Sequence, residues 1–534
     1  MNRDASLTLW QLVESRALTA PASVAFIVDA REVTAAQFHE LCARTVSWLD
    51  KQGVARGDRV AVWMVNRMEW LALFFATARL GAILVPINTR YRSDEVTYIL
   101  KKSGASMLCL QPGFRKIDFA DILTRVDSAD LPALKKVVVL DADDAAPAPI
   151  LGCDSVRFNA QSAEPTQSID SSDPNTCAIV FTTSGTTKGP KLVMHPQRTL
   201  VDHARRCARA YDLDQAGAVV LAMLPFCGVF GLNVALAGLA AGAPIVMVDT
   251  FDATPTAQLL REHQVTHTFG SDEMIRRLAE AVPGDRPFPS LRFFGFGAFT
   301  SSFNEYATQA WQRGIPLFGL YGSSEVLAIF SAQHGGLPVT ERIEGGGRPV
   351  AGQEAHIRIR DVENGQLLPE GESGEIEIRG PSNFIGYYND PTSTAEAVSD
   401  DGYFRTGDIG YLRGDGSFVY KTRKGDAIRL GGFLVNPVEI EEVIKRLHGV
   451  ADAQVAAIDI NGSTRVVAFV IAAPGAKPTE SAVIAETAAI VAPFKVPARV
   501  WFVDEYPVTM SSNGMKTQRN KLRDMAKALL VAPA

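Results

Sequence analysis

The stretch Phe181–His195, "FTTSGTTKGPKLVMH", combines hydroxyl side chains, glycines and two lysines. Hydroxyl groups and the backbone N–H groups that glycines expose can donate hydrogen bonds to phosphate oxygens. The candidate phosphate-binding residues are Thr182, Thr183, Ser184, Gly185, Thr186, Thr187, Lys188 and Lys191. The stretch does not have the GxxxxGK[ST] spacing of a P-loop, and on its own such a composition is also typical of a solvated turn.

Around this stretch, up to about residue 420, short apolar runs alternate with helical stretches. The apolar runs are "RVAVWMV", "AILVPI", "SMLCLQ", "KKVVVLD", "CAIVFTT", "PIVMVD", "HTFG" and "LRFFGFG". Segments with helical periodicity, such as "WLALFFATARLG" and "TPTAQLLREHQ", lie between them. This alternation predicts an α/β fold in which parallel sheets are covered by helices on both faces.

The pattern changes after Val350. "EAHIRIRD", "GEIEIRG" and "GYLRGDGSFVYKTRK" alternate with period two between Gly and Asp turns, which predicts antiparallel strands. A compact β/α stretch begins near residue 425. We therefore predict a large N-terminal domain over residues 1–424, with a β-rich subdomain at about 350–420. A small α+β C-terminal domain is predicted over 425–534.

The overall composition excludes several classes of protein. The 534 residues carry a net charge of −6 with both signs scattered, whereas a nucleic-acid binder would show a basic stripe. The N-terminus has no apolar core of a signal peptide. The six cysteines are dispersed without a CxxC pair, which favours a reducing cytoplasm without a zinc site. The oligomeric state is left open, a homodimer included.

Residues 219–248 contain no charged side chain, which raises the question of a membrane span. Pro225 and Pro244 interrupt the segment, and four glycines punctuate it. We therefore predict a buried strand, a buried helix and a second strand here, and no integral membrane association.

Five motifs resemble, in order, the signatures of the adenylate-forming superfamily, which contains acyl- and aryl-CoA ligases, luciferases and peptide-synthetase adenylation domains. The motifs are "TSGTTKGPKL" (183–192), "YGSSE" (321–325), "YFRTGD" (403–408), "KTRKGDAIRLGGFLVNPVEIEEVI" (421–444) and "PVTMSSNGMKTQRNKLR" (507–523). The resemblance is closest to the acyl-CoA ligases and extends over most of the chain. One departure lies in the first motif, where Lys188 and Gly189 shift a glycine by one residue and Leu192 replaces another.

The resemblance implies a two-step reaction on a small-molecule carboxylic acid. The carboxylate first attacks the α-phosphate of ATP, giving acyl-AMP and pyrophosphate, and the thiol of coenzyme A then displaces AMP. The substrates and cofactors implied are ATP, Mg²⁺ and coenzyme A. Rival hypotheses are an adenylating enzyme that loads a carrier-protein thiol, a luciferase-like oxygenase and a non-catalytic nucleotide-binding protein.

The same resemblance implies roles for individual residues. Lys516 corresponds to the catalytic lysine, with Lys521 close by in sequence, and Glu325 corresponds to the carboxylate that holds Mg²⁺. Ser324 adds a phosphate contact, Gly425 stands at the hinge between the domains, and Gly431 and Gly432 line the thiol tunnel. The implied AMP-binding residues are Gly297, Ala298, Gly319, Tyr321, Gly322, Asp408 and Arg423.

The implied acyl pocket is rich in phenylalanine. Its residues are Phe226, Cys227, Phe230, Phe269 and Phe296. Cys227 replaces the family's usual histidine, and Phe296 stands where the family normally has glycine, which narrows the predicted cavity. We therefore predict a small or flat apolar acid, either short-chain or aryl. Ser271 or Asp272 is expected to cap a helix rather than to face the acid.

Overall fold

The structure is a computed structural model that describes residues 7–141, 147–165, 169–183, 190–297, 303–362, 364–424, 428–430, 433–435, 437–511, 514–517 and 519–531. The chain divides into two compact units. The first comprises Met1–Thr89, Ile99–Thr182 and Leu192–Lys424, and the second comprises Arg90–Tyr98, Thr183–Lys191 and Gly425–Ala534.

The strands of the described residues follow in chain order. They are β1 Val24–Val28, β2 Arg31–Thr34, β3 Arg59–Trp63, β4 Ile83–Pro86, β5 Met107–Leu110, β6 Gly113–Phe114, β7 Ile117–Asp118, β8 Lys136–Val139, β9 Asp154–Arg157, β10 Cys177–Thr182, β11 Leu192–Pro196, β12 Val220–Ala222, β13 Ile245–Met247, β14 His267–Ser271, β15 Phe293–Gly297, β16 Leu317–Ser323, β17 Leu327–Ala332, β18 Gly346–Pro349, β19 His356–Arg360, β20 Leu367–Leu368, β21 Gly374–Arg379, β22 Phe404–Leu412, β23 Phe418–Arg423, β24 Ile428–Leu430, β25 Phe433–Val435, β26 Val450–Ile460, β27 Ser463–Ala472, β28 Arg499–Phe502, β29 Val508–Ser511 and β30 Gly514–Thr517.

The α-helices lie mostly between these strands. They are α1 Leu9–Thr19, α2 Ala35–Lys51, α3 Met68–Arg79, α4 Ser93–Ser103, α5 Phe119–Leu123, α6 Gln197–Ala210, α7 Val229–Ala241, α8 Ala253–Glu262, α9 Asp272–Ala281, α10 Phe303–Gln312, α11 Val339–Arg342, α12 Pro391–Ala397, α13 Pro437–Lys445, α14 Glu480–Ile490 and α15 Arg519–Val531.

Two large sheets form the first unit. One has fourteen strands in the order β2-β1-β13-β12-β14-β15-β16-β17-β18-β23-β22-β21-β19-β20, and the other has seven in the order β11-β10-β4-β3-β5-β8-β9. From β1 to β16 the larger sheet is parallel, and from β16 onwards it is antiparallel. The antiparallel strands predicted after residue 350 thus continue the same sheet, and the predicted α/β class is confirmed.

The uncharged segment 219–248 folds as predicted, into β12, α7 and β13. Gly242 ends α7 with a φ of 74°, a left-handed conformation that glycine adopts without steric cost. The two strands are neighbours in the parallel sheet, so their apolar side chains are buried on both faces. Among the described helices, none has the length and apolar character that a membrane span requires.

The second unit has its own core. β26 and β27 form a long antiparallel pair, and β28 runs parallel to β27. One buried cluster packs α13 and α14 against this sheet, and a second cluster packs α15 against it. The mixture of antiparallel strands and helices matches the predicted α+β character.

Candidate active site

Two predicted AMP-binding residues that are far apart in sequence, Tyr321 and Asp408, form a hydrogen bond with each other. The Tyr321 hydroxyl of β16 donates a hydrogen bond of 2.6 Å to Asp408 Oδ2 on β22. Asp408 is 3% exposed, and its backbone N–H donates to Thr406 Oγ1 at 3.0 Å. The carboxylate is therefore held in one orientation, with its charge in a buried setting where hydrogen bonds are strong.

Strand pairing places the backbone of Arg423 next to the backbone of Asp408. Asp408 and Arg423 are directly paired residues of the antiparallel strands β22 and β23. Paired residues point to the same face of a sheet, so this register is consistent with a shared ligand. The Arg423 side chain itself lies outside the described residues.

The ring of Tyr321 is packed edge-on by other aromatic rings. Its centroid lies 5.1 Å from Phe418 with an interplanar angle of 81°, and 6.4 Å from Phe330 at 76°. Such edge-to-face contacts hold the ring in place. Stacking of an adenine on this ring stays a prediction.

Glu325, the carboxylate predicted to hold Mg²⁺, follows β16. The Tyr387 hydroxyl donates to Glu325 Oε1 at 3.0 Å, and the Glu325 backbone N–H donates to Ser323 Oγ at 3.2 Å. Within the described residues the carboxylate makes no ion pair. One half-buried carboxylate with an oxygen left for a ligand fits Mg²⁺, which is commonly held by one or two carboxylates together with phosphate oxygens.

A buried histidine holds the residue before Glu325. His195 is 0% exposed, and its Nε2–H donates to the Ser324 carbonyl at 2.6 Å. Burial lowers the pKa of His195 to about 4, so the ring is neutral at neutral pH. Sequence reasoning assigned no role to His195 or Tyr387, and the only local signal was that His195 ends the hydroxyl- and lysine-rich stretch Phe181–His195.

Only the ends of the predicted phosphate loop are described. The Thr183 backbone N–H donates to the Lys191 carbonyl at 2.9 Å, and the Lys191 N–H donates to Thr183 Oγ1 at 3.2 Å, which closes the base of the loop. Thr182 ends β10, and its buried hydroxyl has no hydrogen-bond partner among the described residues. Ser184, Gly185, Thr186, Thr187 and Lys188 lie outside the described residues, as does the shifted Gly189.

Several predicted AMP-binding glycines lie on two adjacent strands. Gly297 ends β15, while Gly319 and Gly322 lie on β16, which is parallel to it. A Cβ atom at Gly319 would lie 1.8 Å from the carbonyl oxygen of Glu344. This glycine is therefore required by the close approach of two backbone segments. Ala298 lies outside the described residues.

We expect Gly319→Ala to destabilise the first unit by about 3 kcal/mol, the upper range for overpacking a tight interior. The neighbour is a backbone carbonyl, which cannot rotate away as a flexible side chain would. Thermal unfolding measures the loss. Gly335→Ala is the matched control, since its added Cβ would meet only a Phe318 ring atom at 3.9 Å; equal stability of the two variants would contradict the packing argument.

The structure groups three of the four predicted acyl-pocket phenylalanines. Phe226 and Phe269 are fully buried in the larger core cluster, and Phe230 packs against that cluster. Phe296 belongs instead to the second core cluster. Its register partner is Gly270, whereas Phe269 pairs with Gly295, so Phe269 and Phe296 point to opposite faces of the sheet.

Cys227 is half-buried and follows Phe226 at the turn before α7. The expected helix-capping role at the start of α9 is confirmed for Ser271, because Ser271 Oγ accepts a hydrogen bond of 3.3 Å from the Met274 N–H.

Asn66 is a further residue that sequence reasoning missed. Its Nδ2 donates to the carbonyls of Leu224 and Val248 at 2.9 and 3.0 Å, and its Oδ1 accepts from the Phe226 N–H at 2.7 Å. It thereby holds the backbone of the segment that carries Phe226. The same residue borders a cavity of about 740 Å³ that contains none of the predicted site residues.

The predicted lysine of the second unit is described through its backbone. Lys516 lies on β30 and pairs with Thr509 of the antiparallel strand β29. Its side chain lies outside the described residues, as do Gly425, Gly431 and Gly432.

Comparison with protein families identifies two matching regions. The family model for AMP-binding enzyme matches residues 13–388, and the model for AMP-binding enzyme C-terminal domain matches residues 439–513. Together these matches include four of the five motifs in full or in part.

Individual proteins match along nearly the whole chain. An indoleacetate–CoA ligase of Aromatoleum aromaticum is 30% identical and covers 94% of this chain and 96% of its own length. A fatty acid–[acyl-carrier-protein] ligase of Streptomyces coeruleorubidus is 30% identical, with 97% of this chain and 96% of its own length covered. Among solved structures, o-succinylbenzoate CoA synthetase of Bacillus subtilis superposes with a TM-score of 0.81 at 21% identity, covering 97% of this chain and 98% of that chain.

Proposed function

Because the chain belongs to the AMP-binding enzyme family, we propose that it is an ATP-dependent acid–CoA ligase. In the first step a carboxylate oxygen bonds to the α-phosphorus of ATP and pyrophosphate leaves. In the second step the coenzyme A sulfur bonds to the acyl carbon and AMP leaves. The hydrogen bond between Tyr321 and Asp408 carries the proposal, since it joins two separate nucleotide motifs in one buried site.

The ribose is assigned to Asp408 and Arg423. A carboxylate accepts from two vicinal hydroxyls at once, and the buried position of Asp408 strengthens both hydrogen bonds. Tyr321, Gly297, Ala298, Gly319 and Gly322 are assigned to the adenine side of AMP. The adenine thus lies along β15 and β16 in this proposal.

The triphosphate is assigned to the loop that begins at Thr182 and ends at Lys191, and to Ser324. Glu325 would hold Mg²⁺ through its carboxylate. When bound, the metal neutralises negative charge on the phosphate oxygens. The loop residues contribute N–H and hydroxyl donors to the same end, which lets an anionic carboxylate approach an anionic triphosphate.

The second unit contributes Lys516, whose ammonium group is assigned to the charge that develops between the attacking carboxylate and the α-phosphate. Gly425 is proposed as the hinge of the domain movement between the first and the second half-reaction, because glycine accommodates large φ and ψ changes. Gly431 and Gly432 are proposed to line the tunnel for the coenzyme A thiol.

The proposed acid is small or flat and apolar. Phe226 and Phe269 belong to one apolar core cluster, and Phe230 packs against it. Cys227, which follows Phe226 and is half-buried, is proposed to border the acid as a small apolar group. Phe296 points to the face of the sheet opposite to Phe269 and belongs to a different core cluster, so the narrowing of the pocket is assigned to the other three phenylalanines. The aryl acid in the name of the indoleacetate ligase is consistent with this class.

We expect pyrophosphate release from the purified protein with an aryl or short-chain acid, and thioester formation only when coenzyme A is also present. A panel of acids, from benzoate and arylacetates to a series of fatty acids, tests both points. Highest kcat/KM with palmitate would overturn the proposed acid class, and no pyrophosphate release with any acid would overturn the proposed reaction.

A carrier-protein thiol is the second candidate acceptor. The observation in its favour is the 30% identity to a ligase named for an acyl carrier protein. Parallel thiolation assays with coenzyme A and with a phosphopantetheinylated carrier protein separate the two acceptors. We place the reaction in the cytoplasm, since all six cysteines lie in the described residues and none forms a disulfide.

A further inference from the structure

The segment 324–329, which carries Glu325, has an energetically unfavourable backbone conformation. At the start of β17, Leu327 has a φ of 65° and Ile329 a φ of 54°, in the left-handed region that non-glycine residues rarely adopt. A β-branched side chain such as that of Ile329 is especially unfavourable there. Backbone of this kind persists only where its surroundings fix it, and such strain is concentrated at functional sites.

Buried side chains from neighbouring elements hold the carbonyl groups of this segment. His195 of β11 donates to the Ser324 carbonyl at 2.6 Å. The Ala328 carbonyl accepts from two donors, His203 Nε2 of α6 at 2.8 Å and Asn233 Nδ2 of α7 at 3.2 Å. The Ser324 carbonyl, next to Glu325, thus depends on one side-chain donor among the described residues, whereas the Ala328 carbonyl has two.

The Glu325 side chain is held from a different direction. The Tyr387 hydroxyl donates to Oε1 at 3.0 Å, and the Phe384 backbone N–H donates to the Glu325 carbonyl at 2.7 Å. Tyr387 is 5% exposed, and its ring packs against Phe384 at a centroid distance of 4.9 Å. The hydroxyl is therefore fixed by packing and aims at one oxygen of the carboxylate.

Both His195 and Tyr387 are positioned by β11, the strand that follows the predicted phosphate loop. His195 lies on β11, and Tyr387 lies on a segment that is hydrogen-bonded to it. The Met194 N–H donates to the Gly386 carbonyl at 3.0 Å, and the Ile385 N–H donates back to the Met194 carbonyl at 3.1 Å. Val193 and Tyr387 form a bridge pair. His195 is the next residue after Met194, so one short strand positions both the backbone and the carboxylate of Glu325.

We propose that His195 and Tyr387 are positioning residues that together orient the Glu325 carboxylate for the divalent cation of the bound nucleotide. His195 fixes the peptide before Glu325, and Tyr387 occupies Oε1 so that Oε2 is presented to the metal. This inference rests on the proposed function of Glu325. It assigns to the two residues a role in metal-dependent nucleotide binding that is separate from their contribution to folding.

Calorimetric titration of ATP into the full chain, without any acid, tests the proposal without turnover. Each variant is titrated in Mg²⁺ and in EDTA. The dissociation constant in EDTA divided by the dissociation constant in Mg²⁺ isolates the contribution of the metal. We expect Tyr387→Phe and His195→Leu each to reduce that ratio by about tenfold, the worth of one hydrogen bond to a charged or tightly held group, with little change in EDTA. His195→Gln, which restores an Nε2 donor, should recover most of the loss.

His203→Leu is the matched control, because it removes an equally buried histidine whose carbonyl partner keeps Asn233 as a donor. It should leave the metal-dependent ratio unchanged even where it lowers the unfolding temperature. Equal losses in Mg²⁺ and EDTA for Tyr387→Phe, or an unchanged ratio, would overturn the positioning role.

Glu325→Gln distinguishes a failure of the positioning role from a failure of the proposal that Glu325 holds Mg²⁺. If Glu325→Gln abolishes the metal-dependent gain and the two positioning variants do not reduce it, Glu325 holds the metal and the positioning role is wrong. If Glu325→Gln leaves the gain intact, the assigned metal ligand and the positioning role both fail.

Discussion

Lys516→Ala is expected to slow acyl-AMP formation by about 10²–10³-fold, while conversion of supplied acyl-AMP to the thioester continues at nearly the wild-type rate. The expected loss is that of one preorganised electrostatic contact to the charge that develops in the transition state. The first half-reaction brings a carboxylate against a triphosphate, so it needs this cation. The second half-reaction adds a thiol to a mixed anhydride in which that charge has already left with pyrophosphate.

The two half-reactions are measured separately, by ATP–pyrophosphate exchange with the best acid and by thioester formation from synthetic acyl-AMP. Lys521→Ala is the control, because Lys521 lies five residues further along, on the exposed surface of α15. It should leave both rates unchanged. A comparable loss of both half-reactions in Lys516→Ala would contradict a role limited to adenylation.

The strands of the first unit could be predicted because each is a short apolar run that ends at turn residues. "CAIVFTT" became β10 and "PIVMVD" became β13, since local burial and turn signals suffice to identify such strands. The continuation of the parallel sheet into β17 and β18 could not be predicted in the same way. Which strands become neighbours depends on pairing between distant segments.

The motif residues of the site could also be identified, but the hydrogen bonds that join them to distant residues could not. Asp408 is bound by Tyr321, which is 87 residues away, and Glu325 by Tyr387, which is 62 residues away. Tyr321 was identified from the motif "YGSSE", but not as the partner of Asp408, and Tyr387 lies outside the motifs and the strands, so no local pattern identified it. Phe296 shows the same limit, because the face to which a strand residue points depends on register rather than on composition.

Asp408→Asn is expected to weaken ATP binding by about 10²-fold, because two charge-assisted hydrogen bonds to the ribose become one neutral acceptor contact and one mismatched donor. The substitution preserves the volume of a side chain that is 3% exposed, so the fold should be retained. The Tyr321 hydroxyl can still donate to the amide oxygen. The loss therefore reports the missing charge rather than a cavity or a displaced tyrosine.

A cycle of two changes identifies the ribose as the partner of Asp408. The wild-type chain should bind 2′,3′-dideoxy-ATP far more weakly than ATP, whereas Asp408→Asn should discriminate between the two nucleotides by less than about threefold, since coupled partners are not additive. Tyr321→Phe is the comparison, because it removes the hydrogen bond to Asp408 Oδ2 but keeps both the ring and the carboxylate charge. It should retain most of the discrimination, because the carboxylate that distinguishes the two sugars is still present. Equal discrimination by the wild-type chain and Asp408→Asn would place the ribose hydroxyls against other groups, and the charge of Asp408 would then serve only to hold Tyr321.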